Sequence, residues 1–142
     1  MRANEFLFES SDDDGIIKDF IDFAASKLNL DKLPKIKLLR NPETASQRRS
    51  FGGYSVGQHY IEITVGNRHI MDVLRTLAHE MVHYRQDLND ELNGESGKDG
   101  SPQENEANAE AAVIMRQWGK ANPDLFKRAA LLAEAWNRNA SK

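Results

Sequence analysis

The chain has 142 residues, a formal net charge of −3 and a pI near 5.8. It therefore has room for one domain with its own core but not for a second of ordinary size, and it lacks the basic excess of a nucleic-acid partner. With no cysteine, disulfides, thiolate metal sites and cysteine nucleophiles are excluded, and any metal must be held by nitrogen and oxygen. The opening Met1–Leu7 has no signal-peptide core, and no run of ~18 apolar residues follows, so the expectation is a cytoplasmic chain without a membrane partner.

Ser10 to Asp14 places capping and acidic residues ahead of Ile16, Ile17, Phe20, Phe23, Ala24 and Leu28, which predicts an amphipathic helix from about Gly15 to Leu28. Ile36–Leu39 reads as a short strand closed by Asn41-Pro42. Phe51–Val56 and Tyr60–Val65 flank Gly57-Gln58-His59 as the arms of a hairpin. From Ile70 to Leu88, apolar or aromatic positions at 70, 74, 77, 81, 84 and 88 alternate steps of four and three, the stripe of a core-facing helix. Asn89–Gly100 has little to bury and reads as a loop. Ser101-Pro102-Gln103-Glu104 joins an N-cap serine, a first-turn proline and a glutamate three residues after the cap, opening a helix to about Trp118. Gly119–Pro123 is expected to break that helix, and a last one carries Leu125, Phe126, Leu131, Leu132 and Trp136. Together these elements predict an α+β domain spanning 1–142: a small mixed or antiparallel sheet on the N-terminal and the central helix, followed by two C-terminal helices.

His79-Glu80-Met81-Val82-His83 lies inside the most regular of these helices. Residues four apart on a helix are offset by roughly 40° in projection, so both imidazoles can face one ion, while Glu80 is swung about 100° away. That spacing suits two metal ligands and a general base acting on a metal-activated water. With 4 His and 11 Glu in 142 residues, chance supplies only about 0.01 such matches. Thr76, His79, His83 and Gln86 form a second stripe beside the apolar one.

A catalytic zinc takes three protein ligands. No histidine follows His83, so the third donor must be a carboxylate, and the second long helix offers Glu104, Glu106 and Glu110. Glu104 has a local task as the third residue of a capping box. Glu106 and Glu110 are four apart, a like-charge pair that needs compensation, among alanines that permit close helix packing.

Asn105-Glu106-Ala107-Asn108-Ala109-Glu110 resembles the glutamate-ligand segment of gluzincin metallopeptidases, and still more the Glu-Ala-Asn-x-x-Ala-Ala segment of ImmA/IrrE-type peptidases. The resemblance covers about Gly53–Trp118. It implies a zincin-like fold, one zinc per chain held by His79, His83 and Glu106, Glu80 as general base, and Glu110 as the acid that orients His79. The implied activity is that of a zinc metalloendopeptidase acting on a peptide or protein. Val113-Ile114-Met115-Arg116 departs from the Leu-Met-Pro element that usually ends the ImmA/IrrE helix. SprT-like proteases share a small HExxH core, but their cysteine-rich zinc ribbon cannot exist here. The opening Met1–Phe6 resembles the start of small tailed-phage proteins, which implies a phage source and a virion-associated location.

The same resemblance implies a cleft-lining edge strand at Tyr60–Val65, making Tyr54, His59, Tyr60 and Ile61 the substrate-binding candidates; His69 joins Tyr54, His59 and Tyr60 as a possible oxyanion donor. The competing reading is a binding or structural module that uses a zinc site for stability or assembly. Asp87, Asn89 and Glu91 lack the spacing of an EF-hand, and Arg48-Arg49 reads as a solvated loop.

Overall fold

The computed structural model describes residues 11–39, 52–66, 68–93 and 100–140, without the side chains of 11–14 and 136–140. The expectations for Met1–Phe6, Asn41-Pro42, Arg48-Arg49, residues 94–99 and the Trp136 side chain lie outside these residues.

Helix α1 (Ser11–Lys27) starts four residues earlier than the sequence predicts, so the acids at 12–14 sit within its first turns. It ends where Asn29 takes a left-handed φ of 57° and Leu30 N–H returns to the Ala25 carbonyl, a conformation that Asn tolerates. Strands β1 (Lys35–Leu39), β2 (Gly52–Ser55) and β3 (Tyr60–Thr64) form a sheet of order β1-β3-β2, with β1 parallel and β2 antiparallel to β3. The sheet is therefore mixed. Among the described residues it also makes β3 the central strand, so the edges are β1 and β2 rather than the expected Tyr60–Val65.

Helix α2 (Ile70–Leu88) lies where its periodicity places it. Its last turn closes like that of α1: Asp90 takes φ 58° and Glu91 N–H bonds the Gln86 carbonyl at 2.8 Å. Helix α3 (Pro102–Ala121) opens as predicted on Ser101 but runs through Gly119 and stops only at Asn122, ahead of Pro123, the first residue of α4 (Pro123–Ala140). The residue before a proline is disfavoured in the helical region, whereas Gly119 serves packing: a Cβ there would lie 3.1 Å from the Phe126 ring.

Ile16, Ile17, Phe20 and Ala24 of α1, Ile61 and Ile63 of β3, Leu74, Leu77 and Met81 of α2, and Ala107, Ala111, Ile114 and Trp118 of α3 share one core. Trp118 meets the Phe20 ring edge-on at 5.5 Å. Among the described residues, no helix is long and apolar enough to cross a membrane.

Two contacts fix α2 against the sheet. Arg68 donates to the Thr64 carbonyl at 2.9 Å, the Asp72 carbonyl at 3.2 Å and Thr76 Oγ1 at 2.8 Å, tying the end of β3 to the first turns of α2. Further along, Asp87 accepts from the Tyr54 hydroxyl at 2.6 Å and from Gly57 N–H at 2.7 Å, clamping the hairpin. Between them β2 runs close along the helix, and a Cβ on Gly52 would stand 2.5 Å from Thr76 Cγ2. Gly52→Ala is expected to cost about 1–3 kcal/mol through overpacking, measured by urea unfolding. Most of that loss should be recovered in a Thr76→Ser background, which removes the obstructing methyl and keeps the hydroxyl that Arg68 holds.

Candidate metal centre

His79 and His83 leave α2 on its polar stripe with their Nε2 atoms 3.2 Å apart. From the first turn of α3, Glu104 reaches both: Oε1 lies 3.0 Å from His79 Nε2 and Oε2 lies 2.8 Å from His83 Nε2. These donors lie within 4.8 Å of one another. Zinc bonds of about 2.0–2.1 Å in tetrahedral array put neighbouring donors roughly 3.3 Å apart, so two imidazoles and one carboxylate at these separations fit a small divalent cation. The His79 and His83 side chains are 18% and 11% exposed and that of Glu104 20%, enough to admit water while excluding most of it.

The carboxylate of the cluster is thus Glu104 rather than Glu106. The serine half of the capping box is present, with Glu104 N–H donating to Ser101 Oγ at 3.1 Å, while the Glu104 side chain reaches α2. Residues two apart on a helix are about 200° apart in projection, so Glu106 cannot share that direction. Its carboxylate instead accepts from Gln86 Nε2 at 2.7 Å and pairs with Arg85 at 3.3 Å. Glu110, expected beside His79, pairs with the same Arg85 at 3.2 Å. Arg85 therefore compensates the like-charge pair that the sequence assigns to a metal cluster. Asn108, one turn after Glu104, also favours the charged form of the His79 ring. Ala107 and Ala111 are buried between the two helices and small enough for this approach.

Glu80 is 8% exposed and close enough to feel the charges of both His83 and Glu104. Burial raises its carboxyl from the ordinary 4.5 to about 7, His83 opposes the rise, and Glu104 adds to it. Burial likewise lowers His79, against the attraction of Glu104.

The substrate-binding candidates are engaged elsewhere. The Tyr54 hydroxyl donates to Asp87, and burial with that carboxylate holds it well above the usual phenol range. His59 sits in the hairpin turn at φ 53° with its ring edge-on to Tyr84 at 5.4 Å. The Tyr60 hydroxyl donates to Glu62 at 2.6 Å. Ile61 is fully buried in the core, which removes its side chain from any substrate. His69, the residue before α2, is ten positions from His79, about 15 Å along the axis. Sequence reasoning also missed Gln86 as a site residue, although its place three after His83 on the same stripe was the available signal.

Among the described residues, fold and site together define an α+β protein with a His-His-Glu cluster able to hold a metal ion. Comparison with known protein families, characterised proteins and solved structures finds no match.

The burial of Glu80 has a pH signature in the metal-free chain. The folded state keeps a proton that the unfolded state releases above pH 4.5, so this carboxyl lowers stability as pH rises, fully so above about 7. Relative to Glu80→Gln, chelator-treated wild type should lose up to about 3 kcal/mol between those limits, read from urea unfolding across the pH range. The depressed His79 acts in the opposite direction in both chains, and an unchanged difference between them would contradict the assignment.

Proposed function

We propose that the chain is a zinc-dependent peptidase of minimal size, with His79, His83 and Glu104 as the metal-holding residues and Glu80 as general base. The observation that carries this reading is the convergence of two imidazole Nε2 atoms on both oxygens of one carboxylate, with a buried second carboxyl beside them. Zinc held there would supply a Lewis acid that polarises a carbonyl and acidifies water.

The remaining chemistry belongs to the chain. Glu80 lies one residue from His79 and three from His83, buried and within reach of the charges of His83 and Glu104, so its carboxylate can take one proton from the attacking water. It then returns that proton to the nitrogen of the leaving amine, so that one water and one peptide bond give an acid and an amine. A carboxyl held near neutrality is suited to both steps, since it is neither too weak a base nor too weak an acid. Among the described residues, strand β2 is the sheet edge that lies alongside α2, and it takes over the peptide-aligning role that the sequence assigns to Tyr60–Val65. Three donors rather than four among the described residues favour a reactive site over a closed structural one.

Zinc competition and peptide-library cleavage test this reading together. Wild type and Glu80→Gln should each bind about one zinc, with cleavage lost in the variant. Glu104→Ala should weaken zinc binding by more than the roughly 10–100-fold typical of residues that only support a ligand. Full zinc affinity in Glu104→Ala would refute the ligand set. Stoichiometric zinc with no cleavage of any peptide would favour a zinc-dependent binding module.

A further inference from the structure

Gln86 is fully buried although polar, and both ends of its amide have partners. Nε2 donates to Glu106 Oε1 at 2.7 Å and to the Gln103 carbonyl at 3.1 Å, while Oε1 lies 2.8 Å from His83 Nδ1. An amide donates only from nitrogen and accepts only at oxygen. Two acceptors on one side therefore settle which way the group is turned, since the reverse orientation would set its oxygen against a carboxylate and a carbonyl. With its oxygen toward the imidazole, the partner nitrogen must be a donor.

We infer that Gln86 is a positioning residue that holds His83 in the form carrying hydrogen on Nδ1, so that the Nε2 lone pair faces His79 and Glu104, and that Glu106 and the Gln103 carbonyl hold Gln86 in turn. The inference rests on reading His79, His83 and Glu104 as a metal site. Its consequence is that the opening turn of α3 acts on the site twice. Glu104 supplies a donor directly, and Gln103 with Glu106 orients a second donor through the amide. A glutamate at position 86 could also accept from His83, but it would face Glu106 across 2.7 Å without the donors that now join the two side chains.

The test compares wild type, Gln86→Leu and Gln86→Glu by zinc competition with a chelator, by unfolding temperature, and by solvent exchange of the His83 ring proton in the zinc-loaded chain. Gln86→Leu removes the acceptor at similar volume and should weaken zinc binding about 10–100-fold, with faster exchange at Nδ1. Gln86→Glu restores an acceptor and should recover zinc affinity to within about threefold of wild type despite a lower unfolding temperature. Zinc affinities that simply follow unfolding temperature across the three chains would reduce Gln86 to a packing residue and overturn the inference. So would His83 bound through Nδ1 in wild type, which needs no variant to fold. Equal zinc affinity in wild type and Gln86→Leu would refute the role of Gln86 alone, whereas a wild-type chain that binds no zinc would refute the metal site itself and the inference with it.

Discussion

The site depends on one contact between two helices: the Glu104 carboxylate, carried by the first turn of α3, spanning both imidazoles of α2 at 2.8 and 3.0 Å. Two unprotonated ring nitrogens and a carboxylate cannot converge this closely without positive charge between them, because their lone pairs repel and partial burial weakens the screening by water. A proton or a metal ion must supply that charge. The Gln86 amide sharpens the demand, since it keeps the hydrogen of His83 on the far side of the ring. The arrangement is thus more than two histidines that share a helix face.

The surroundings can be understood as what keeps that contact in register. Ala107 and Ala111 let α3 approach α2, while Ile114 and Trp118 anchor the rest of the helix in the core beneath. Arg85 gathers Glu106 and Glu110, two acids that would otherwise repel each other one turn apart. On the opposite flank, Arg68 and Asp87 pin the sheet to the start and end of α2, and the absence of a side chain at Gly52 lets β2 lie close between them. Glu80 is buried in low-dielectric surroundings, which is why its carboxyl is held near neutrality.

Much of this was legible in the sequence because it follows from periodicity. The four-three spacing of Ile70–Leu88 fixed α2, and the five residues from His79 to His83 marked two of the three donors of the candidate metal cluster. Ser101-Pro102 marked the start of α3, since an N-cap serine and a first-turn proline act through local backbone geometry. The third donor was not legible, because the choice among Glu104, Glu106 and Glu110 turns on the rotation of α3 about its axis. The capping-box pattern misled there: its serine half forms, with Glu104 N–H on Ser101 Oγ, but the Glu104 side chain turns to α2 instead of back to the cap. Strand order was equally out of reach, since a hairpin pattern says nothing about which arm gains a further neighbour, and β1 pairs in parallel with β3 from more than twenty residues away. Gly119 shows the same limit, a residue that reads as a breaker and serves as a contact surface for Phe126.

The most direct measurement of the central claim is anomalous scattering at the zinc edge from crystals of the zinc-loaded chain. The account predicts one peak bonded to His79 Nε2, His83 Nε2 and a Glu104 oxygen, with the Gln86 amide still against His83 Nδ1. A peak bonded to Glu106 in place of Glu104, or no peak at this cluster in crystals that hold zinc elsewhere, would contradict it.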